Sequence, residues 1–123
     1  MAIADIKMLT LDSSDPRRDA AFWAAVLGWE VSHVQDEYAM LNGPDGPALG
    51  LGLVEDHEPP AWPNPHGSKQ FHLDLAVDDL DAAAGDCVAA GATLPQEQPG
   101  ETWRVLLDPS GHPFCLTQAA NWG

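Results

Sequence analysis

The sequence predicts an α+β fold in which two βαβββ modules share a single domain, and three observations carry that expectation. The order of hydrophobic patterns, a strand, a helix and then short strands, occurs twice along the chain. Each helical stretch is bounded by an acidic N-cap and a glycine stop: Asp15 and Gly28 in the first copy, Asp78 or Asp79 and Gly91 in the second. The copies also keep register, because placing Leu9 on Leu73 brings Leu11 onto Leu75 and Asp15 onto Asp79, at a constant offset of 64. Identity between the halves is low, so order and punctuation carry the repeat.

The first module spans about residues 3–54. Residues 7–11 alternate as a strand does, and "DPRRDAAFWAAVLG" then opens on Asp15 with Pro16 at the first helical position, where its missing N–H costs nothing. Phe22, Val26 and the intervening alanines form one apolar helical face, with Arg17, Arg18 and Asp19 expected in solvent. Three short strands follow: "WEVSHV" (29–34), "YAML" (38–41) and "ALGLGLV" (48–54), parted by "QDE" and the turn-rich "NGPDGP". The second module, about 70–119, repeats this with "FHLDLAV", a helix through Ala90, a weak strand near "ATLP", and "TWRVLLD" and "HPFCLTQ" around the turn "DPSG". Its "PSGH" (109–112) falls over "PDGP" (44–47) of the first copy.

Between the copies, the four prolines of "EDHEPPAWPNPHGSK" (55–69) exclude regular structure and suit an extended connector within one domain, residues 1–123. Neither half is large enough to bury its own sheet face alone. Nineteen acidic residues against five basic ones give a formal charge of -14, spread along the chain, which argues against nucleic acid and anionic membranes as partners. No apolar run approaches the length of a membrane span and the N-terminus lacks a signal-peptide pattern, so a cytoplasmic location is expected. Cys87 and Cys115 form no CxxC pair and read as reduced, buried thiols.

Strand alternation separates two faces. Leu9 and Leu11, like Leu73, Leu75 and Val77, point towards the following helix, and the opposite face carries Met8, Thr10 and Asp12 in one copy and His72, Asp74 and Ala76 in the other. A face holding His and Asp is an unsuitable core, so it is expected to line a cleft if the sheets curl towards each other.

The paired βαβββ order, the "HLDL" strand followed by "VDDLDAA" and a "GA" stop, and the closing hairpin "DPSGHPFCL" resemble the vicinal oxygen chelate superfamily, in its glyoxalase-like and bleomycin-resistance-like branch. "LDSSDPRRDAAFWAAVLGWEV" is similar to that family's first strand and helix, and "PPAWPNP" to its inter-module linker. The resemblance implies an incomplete, cup-shaped barrel whose interior takes a small organic ligand, and a homodimer. It also implies divalent-metal positions at Met8, within the Gly50 to Gly52 stretch, at His72 and at Cys115. Of these only His72 is a standard ligand for the hard or borderline ions involved: glycine offers no side chain, methionine prefers soft metals, and a cysteine stands where the enzymes carry a carboxylate. No cofactor is therefore expected, with a divalent metal at His72 as the alternative.

His72 and Asp74 are the candidate acid/base pair, since histidine titrates near neutrality without metal help. The candidate ligand-binding set is Met8, Thr10, His72, Asp74, Trp62, Trp103, Arg104 and Cys115. Trp62 and Trp103 are free to wall a planar ligand, whereas Trp23 and Trp29 read as core. Either Trp103 or Arg104, on opposite faces of one strand, looks into the cup. Cys115 lacks a basic neighbour in sequence, and the acidic chain is expected to raise its pKa. Cys87 reads as core; His33, His57, His66 and His112 read as surface residues. Three functions compete: a metal-free small-molecule binder acting by sequestration, a metal-dependent lyase, isomerase or dioxygenase, and a metal-independent His72/Asp74 enzyme. A purely structural module would have no need for a polar concave face.

Overall fold

A computed structural model describes residues 2–122, which fall into two compact units, Met1–His57 and Glu58–Gly123. In the first unit β1 (Met8–Ser13), α1 (Pro16–Leu27), β2 (Glu30–Val34), β3 (Tyr38–Asn42) and β4 (Ala48–Leu53) follow the expected order to within one or two residues. The sheet order is β1-β4-β3-β2, with β1 and β4 parallel and the other pairs antiparallel. Asp15 caps α1 by accepting from the Arg18 N–H at 3.2 Å, and Gly28 closes it in the left-handed region, its N–H bonded to the Ala24 carbonyl.

Helix α1 packs on β2, β3 and β4. The register places Leu49 and Leu51 beside Leu41 and Ala39 on one face, where they meet Ala20, Phe22 and Trp23, all buried. Phe22 and Trp23 meet edge to face with ring centroids 5.0 Å apart. One expectation is corrected here. Asp19 is not in solvent but fully buried, accepting from the Ser13 hydroxyl at 2.5 Å and from Arg18 Nε at 3.0 Å. A carboxylate one turn into a helix finds both the positive end of the helix dipole and a hydroxyl donor from the preceding strand, which offset its desolvation. Arg17 does stay at the surface, where it pairs with Asp36.

The second unit contains β5 (Leu73–Val77), α2 (Leu80–Ala90), β6 (Trp103–Leu107), β7 (Pro113–Gln118) and a terminal 3-10 turn, η1 (Ala119–Trp122). Its sheet order is β5-β7-β6, with β7 parallel to β5 and antiparallel to β6. Asp79 is the cap, accepting from Ala82 N–H at 3.0 Å. The weak strand expected near "ATLP" is a single bridge between Thr93 and Leu107. Pro95 and Pro99 cannot donate to a ladder, and the Gln98 side chain supplies what a strand would have: its Oε1 accepts from Val105 N–H at 2.8 Å and its Nε2 donates to Val105 O at 3.0 Å. Helix α2 packs on β6 and β7 through Leu80, Ala84 and Cys87, covering Leu106, Phe114 and Leu116.

Residues 55–69 contain no helix or strand. The part from Glu58 onward belongs to the second unit and is tied locally: Asn64 Nδ2 donates to Ala61 O and Ser68 O, each at 2.7 Å, while its Oδ1 accepts from His66 and Ser68 N–H groups. Among the described residues no helix is long and apolar enough to cross a membrane.

Candidate functional site

The parallel β5/β7 register sets the chemistry of the second unit. Asp74 lies opposite Cys115, Ala76 opposite Thr117, and across β7 Thr117 and Cys115 face Trp103 and Val105. Strand alternation puts these residues on the sheet face away from α2. His72 stands immediately before β5 and keeps the same parity, so it joins them.

His72 Nε2 lies 3.2 Å from Asp74 Oδ1, and ligand atoms of His72, Asp74 and Cys115 all lie within 4.8 Å of one another. The Cys115 thiol is 3 % exposed, and its pKa is pushed up to about 11. Burial is the main cause. Lys69 opposes it, and Asp74 adds to it by its charge and by accepting the thiol's hydrogen bond. The expectation that the acidic surroundings keep this thiol protonated agrees with that direction.

Around this polar floor is an open pocket of about 460 Å³, within the range of small-ligand sites. Its two aromatic walls come from different elements. Trp103 on β6 lies so close over Gly100 that a β-carbon there would come within 2.2 Å of the indole. Trp122 on η1 donates its indole N–H to Thr117 Oγ1 at 2.6 Å, and Thr117 in turn donates to Leu75 O at 2.8 Å. Thr102 and Asn121 add a hydroxyl and an amide at the rim, and Lys69 contributes an ammonium.

Of the expected site residues, His72, Asp74, Trp103 and Cys115 are brought together around this pocket. Arg104 is not: it lies on the opposite face, with its guanidinium on the carbonyls of Glu101 and Trp103 and 3.4 Å from Asp81 of α2. Ladder parity alone decides between Trp103 and Arg104 once the β6/β7 register is known. Trp62 does not line the pocket. Its ring centroid lies 4.7 Å from Lys69 Nζ, and its own N–H is buried without a partner among the described residues. Met8 and Thr10 belong to the first unit, where both sit over Gly50. Trp23 is core as expected, but Trp29 is half-buried and covers Gly43. Cys87 is buried under α2. His33 and His66 are exposed; His57 and His112 are half-buried.

Sequence reasoning missed Lys69, Thr117 and Trp122. The chain has only five basic residues; Arg17, Arg18 and Arg104 each pair with a carboxylate, and Lys69 instead covers an indole at the pocket. That scarcity was a usable signal. Trp122 gave none, because it follows the last patterned strand.

Three possible metal donors converge at this floor. They are one imidazole, one carboxylate and a buried thiol that holds its proton past neutrality. Binding requires the thiolate, and hard ions prefer oxygen. In the first unit the corresponding register carries Met8, Thr10 and Gly50, which offer a thioether, a hydroxyl and no side chain. One imidazole, one carboxylate and one thiol are donor types that zinc accepts; they do not make the oxygen-rich set of a hard ion, and zinc would have to displace the Cys115 proton.

A glyoxalase-like domain model matches residues 8–117, so the chain belongs to the glyoxalase-like domain family. Solved structures share its fold. A glyoxalase/bleomycin resistance protein/dioxygenase family enzyme from Burkholderia phytofirmans has a TM-score of 0.70 at 21% identity, covering 94% of this chain and 99% of its own. A glyoxalase-related enzyme from Fulvimarina pelagi has a TM-score of 0.68 at 21% identity, covering 93% and 87%. The bleomycin-binding protein of Streptomyces verticillus, in complex with copper(II)-bleomycin, has a TM-score of 0.58 at 19% identity, covering 96% and 98%. No curated protein sequence matches the chain.

Proposed function

We propose that this protein binds a small organic molecule in the pocket of its second unit, without a resident divalent metal, and acts by binding rather than turnover. The observation that carries the reading is a pair of indoles, Trp103 and Trp122, each anchored by its own device and lining the same pocket as a polar floor. Flat apolar walls around a few oriented polar groups are how proteins select small organic ligands. The floor's donors hydrogen-bond one another, and an ion would have to displace the thiol's proton. The copper(II)-bleomycin complex of the Streptomyces verticillus protein supports this fold as a container for organic ligands.

A thermal-shift screen of chelator-treated protein against small organic compounds tests it. A ligand at a hundred times its Kd stabilises by about 2.7 kcal/mol; that stabilisation is expected in chelator-treated protein and is lost in Trp103→Ala. Stabilisation that requires a stoichiometric added divalent ion, and disappears in His72→Ala, contradicts the metal-free reading.

The 3.2 Å approach of His72 Nε2 to Asp74 favours one second reading, metal-independent proton transfer. It is distinguished by turnover that resists chelators and fails in His72→Ala. The two units folding as one domain, and the chain forming a homodimer, belong to the main proposal. A single unfolding transition and a light-scattering mass of twice 13.1 kDa are the expected results.

A further inference from the structure

The pocket carries fixed charges of both signs. Asp74 and Lys69 line it and flank the same group, since both act on the Cys115 thiol in opposite directions. Each is held in its own way: Asp74 by its ladder position opposite Cys115, Lys69 by resting on the Trp62 ring. Among the described residues no carboxylate ion-pairs with Lys69, so its charge remains available to a ligand. Two indoles, Trp103 and Trp122, line the same pocket.

A pocket with one sign of charge selects the opposite ion. A pocket with both penalises either simple ion, because a cation near Asp74 feels Lys69 and an anion near Lys69 feels Asp74. The solute that satisfies both ends is dipolar. Resting on the binding reading above, we propose that the ligand is a flat aromatic zwitterion, with its cationic or donor group at Asp74, its carboxylate or similar anion at Lys69, and its ring against the indoles that line the pocket. The strongly acidic chain as a whole would favour cations; the local pair of charges overrides that preference inside the pocket.

A matched set of probes tests this by calorimetric titration: 4-(aminomethyl)benzoate, benzylamine, benzoate, and trans-4-(aminomethyl)cyclohexanecarboxylate. The aromatic zwitterion is expected to bind about tenfold more tightly than either singly charged aromatic, the magnitude of one charge-assisted contact. The cyclohexane zwitterion should bind more weakly than its aromatic counterpart, because it cannot stack. In Lys69→Gln the zwitterion's advantage over benzylamine should vanish while benzylamine is unaffected or improves; in Asp74→Asn its advantage over benzoate should vanish. Circular dichroism of each variant establishes that the fold is retained, and Lys69→Met serves as the replacement if Lys69→Gln unfolds. Benzylamine binding as tightly as the zwitterion overturns the proposal, as does an advantage that survives in Lys69→Gln, or no binding by any of the four. Failure here with hits still found in the screen discards the zwitterion and keeps the binding site; failure of both discards the site.

Discussion

The two units use the same strand register for opposite ends. Thr10 pairs with Gly50 on the parallel β1/β4 ladder as Asp74 pairs with Cys115 on β5/β7. In the first unit the place of the thiol is a glycine, and Met8 fills the space: its Sδ lies 2.9 Å, and Thr10 Oγ1 3.0 Å, from where a β-carbon would be. In the second unit the same positions hold an imidazole, a carboxylate and a thiol around an open pocket. One copy covers its sheet face with a flexible thioether and the other keeps polar groups exposed there. The scaffold occurs twice, and the side chains at a few ladder positions decide which copy presents polar groups on that face.

The sharpest way to test that contrast is at the paired turns, where Gly46 and Gly111 both have positive φ, 82° and 89°. A β-carbon at Gly46 meets nothing within 4 Å, while one at Gly111 would come 2.3 Å from Pro59 Cβ. Gly111→Ala is therefore expected to cost roughly 3 kcal/mol, strain plus overpacking, and Gly46→Ala roughly 1 kcal/mol from strain alone, read from urea unfolding. Equal costs would show that Pro59 yields freely. Next is Asp19→Ala, expected to cost about 2 kcal/mol because the buried Ser13 hydroxyl loses its acceptor. The second unit has Ala83 at the matching position and no such requirement. Gly50→Ala should cost about 1 kcal/mol, since Met8 must move aside. In a Met8→Ala background the same change should cost less, and strict additivity would contradict the filling role of Met8.

A separate effect is on pH dependence. A thiol whose folded pKa is raised from 9.0 to about 11 stays protonated in the native state while the unfolded chain ionises. Its contribution is complete below pH 9 and is lost as pH rises towards 11. The urea midpoint should fall between pH 8.5 and pH 10.5 in the wild type, and fall less in Cys115→Ala; the same fall in both would remove Cys115 as the cause.

Much of this was legible in the sequence because it is local. Caps, glycine stops and strand alternation placed both helices and most strands, and parity put His72 and Asp74 on one face. What was not legible depends on contacts far apart in sequence. The β6/β7 register decides that Trp103 and not Arg104 faces the pocket, and no pattern within β6 encodes it. Asp19 looked like a first-turn surface charge because its partner, Ser13, lies on the preceding strand. Gln98 standing in for a strand and Trp122 folding back onto Thr117 are likewise tertiary facts. Only Lys69 was within reach, through the rarity of basic residues.

The most direct test of the account follows the five tryptophan indole N–H signals in ¹H–¹⁵N NMR spectra during titration with a hit from the screen. The signals of Trp103 and Trp122 are expected to shift together and saturably, while those of Trp23 and Trp29 in the first unit stay in place. Shifts confined to Trp23 or Trp29, or a bound ligand that moves neither Trp103 nor Trp122, would contradict a binding site on the open face of the second unit.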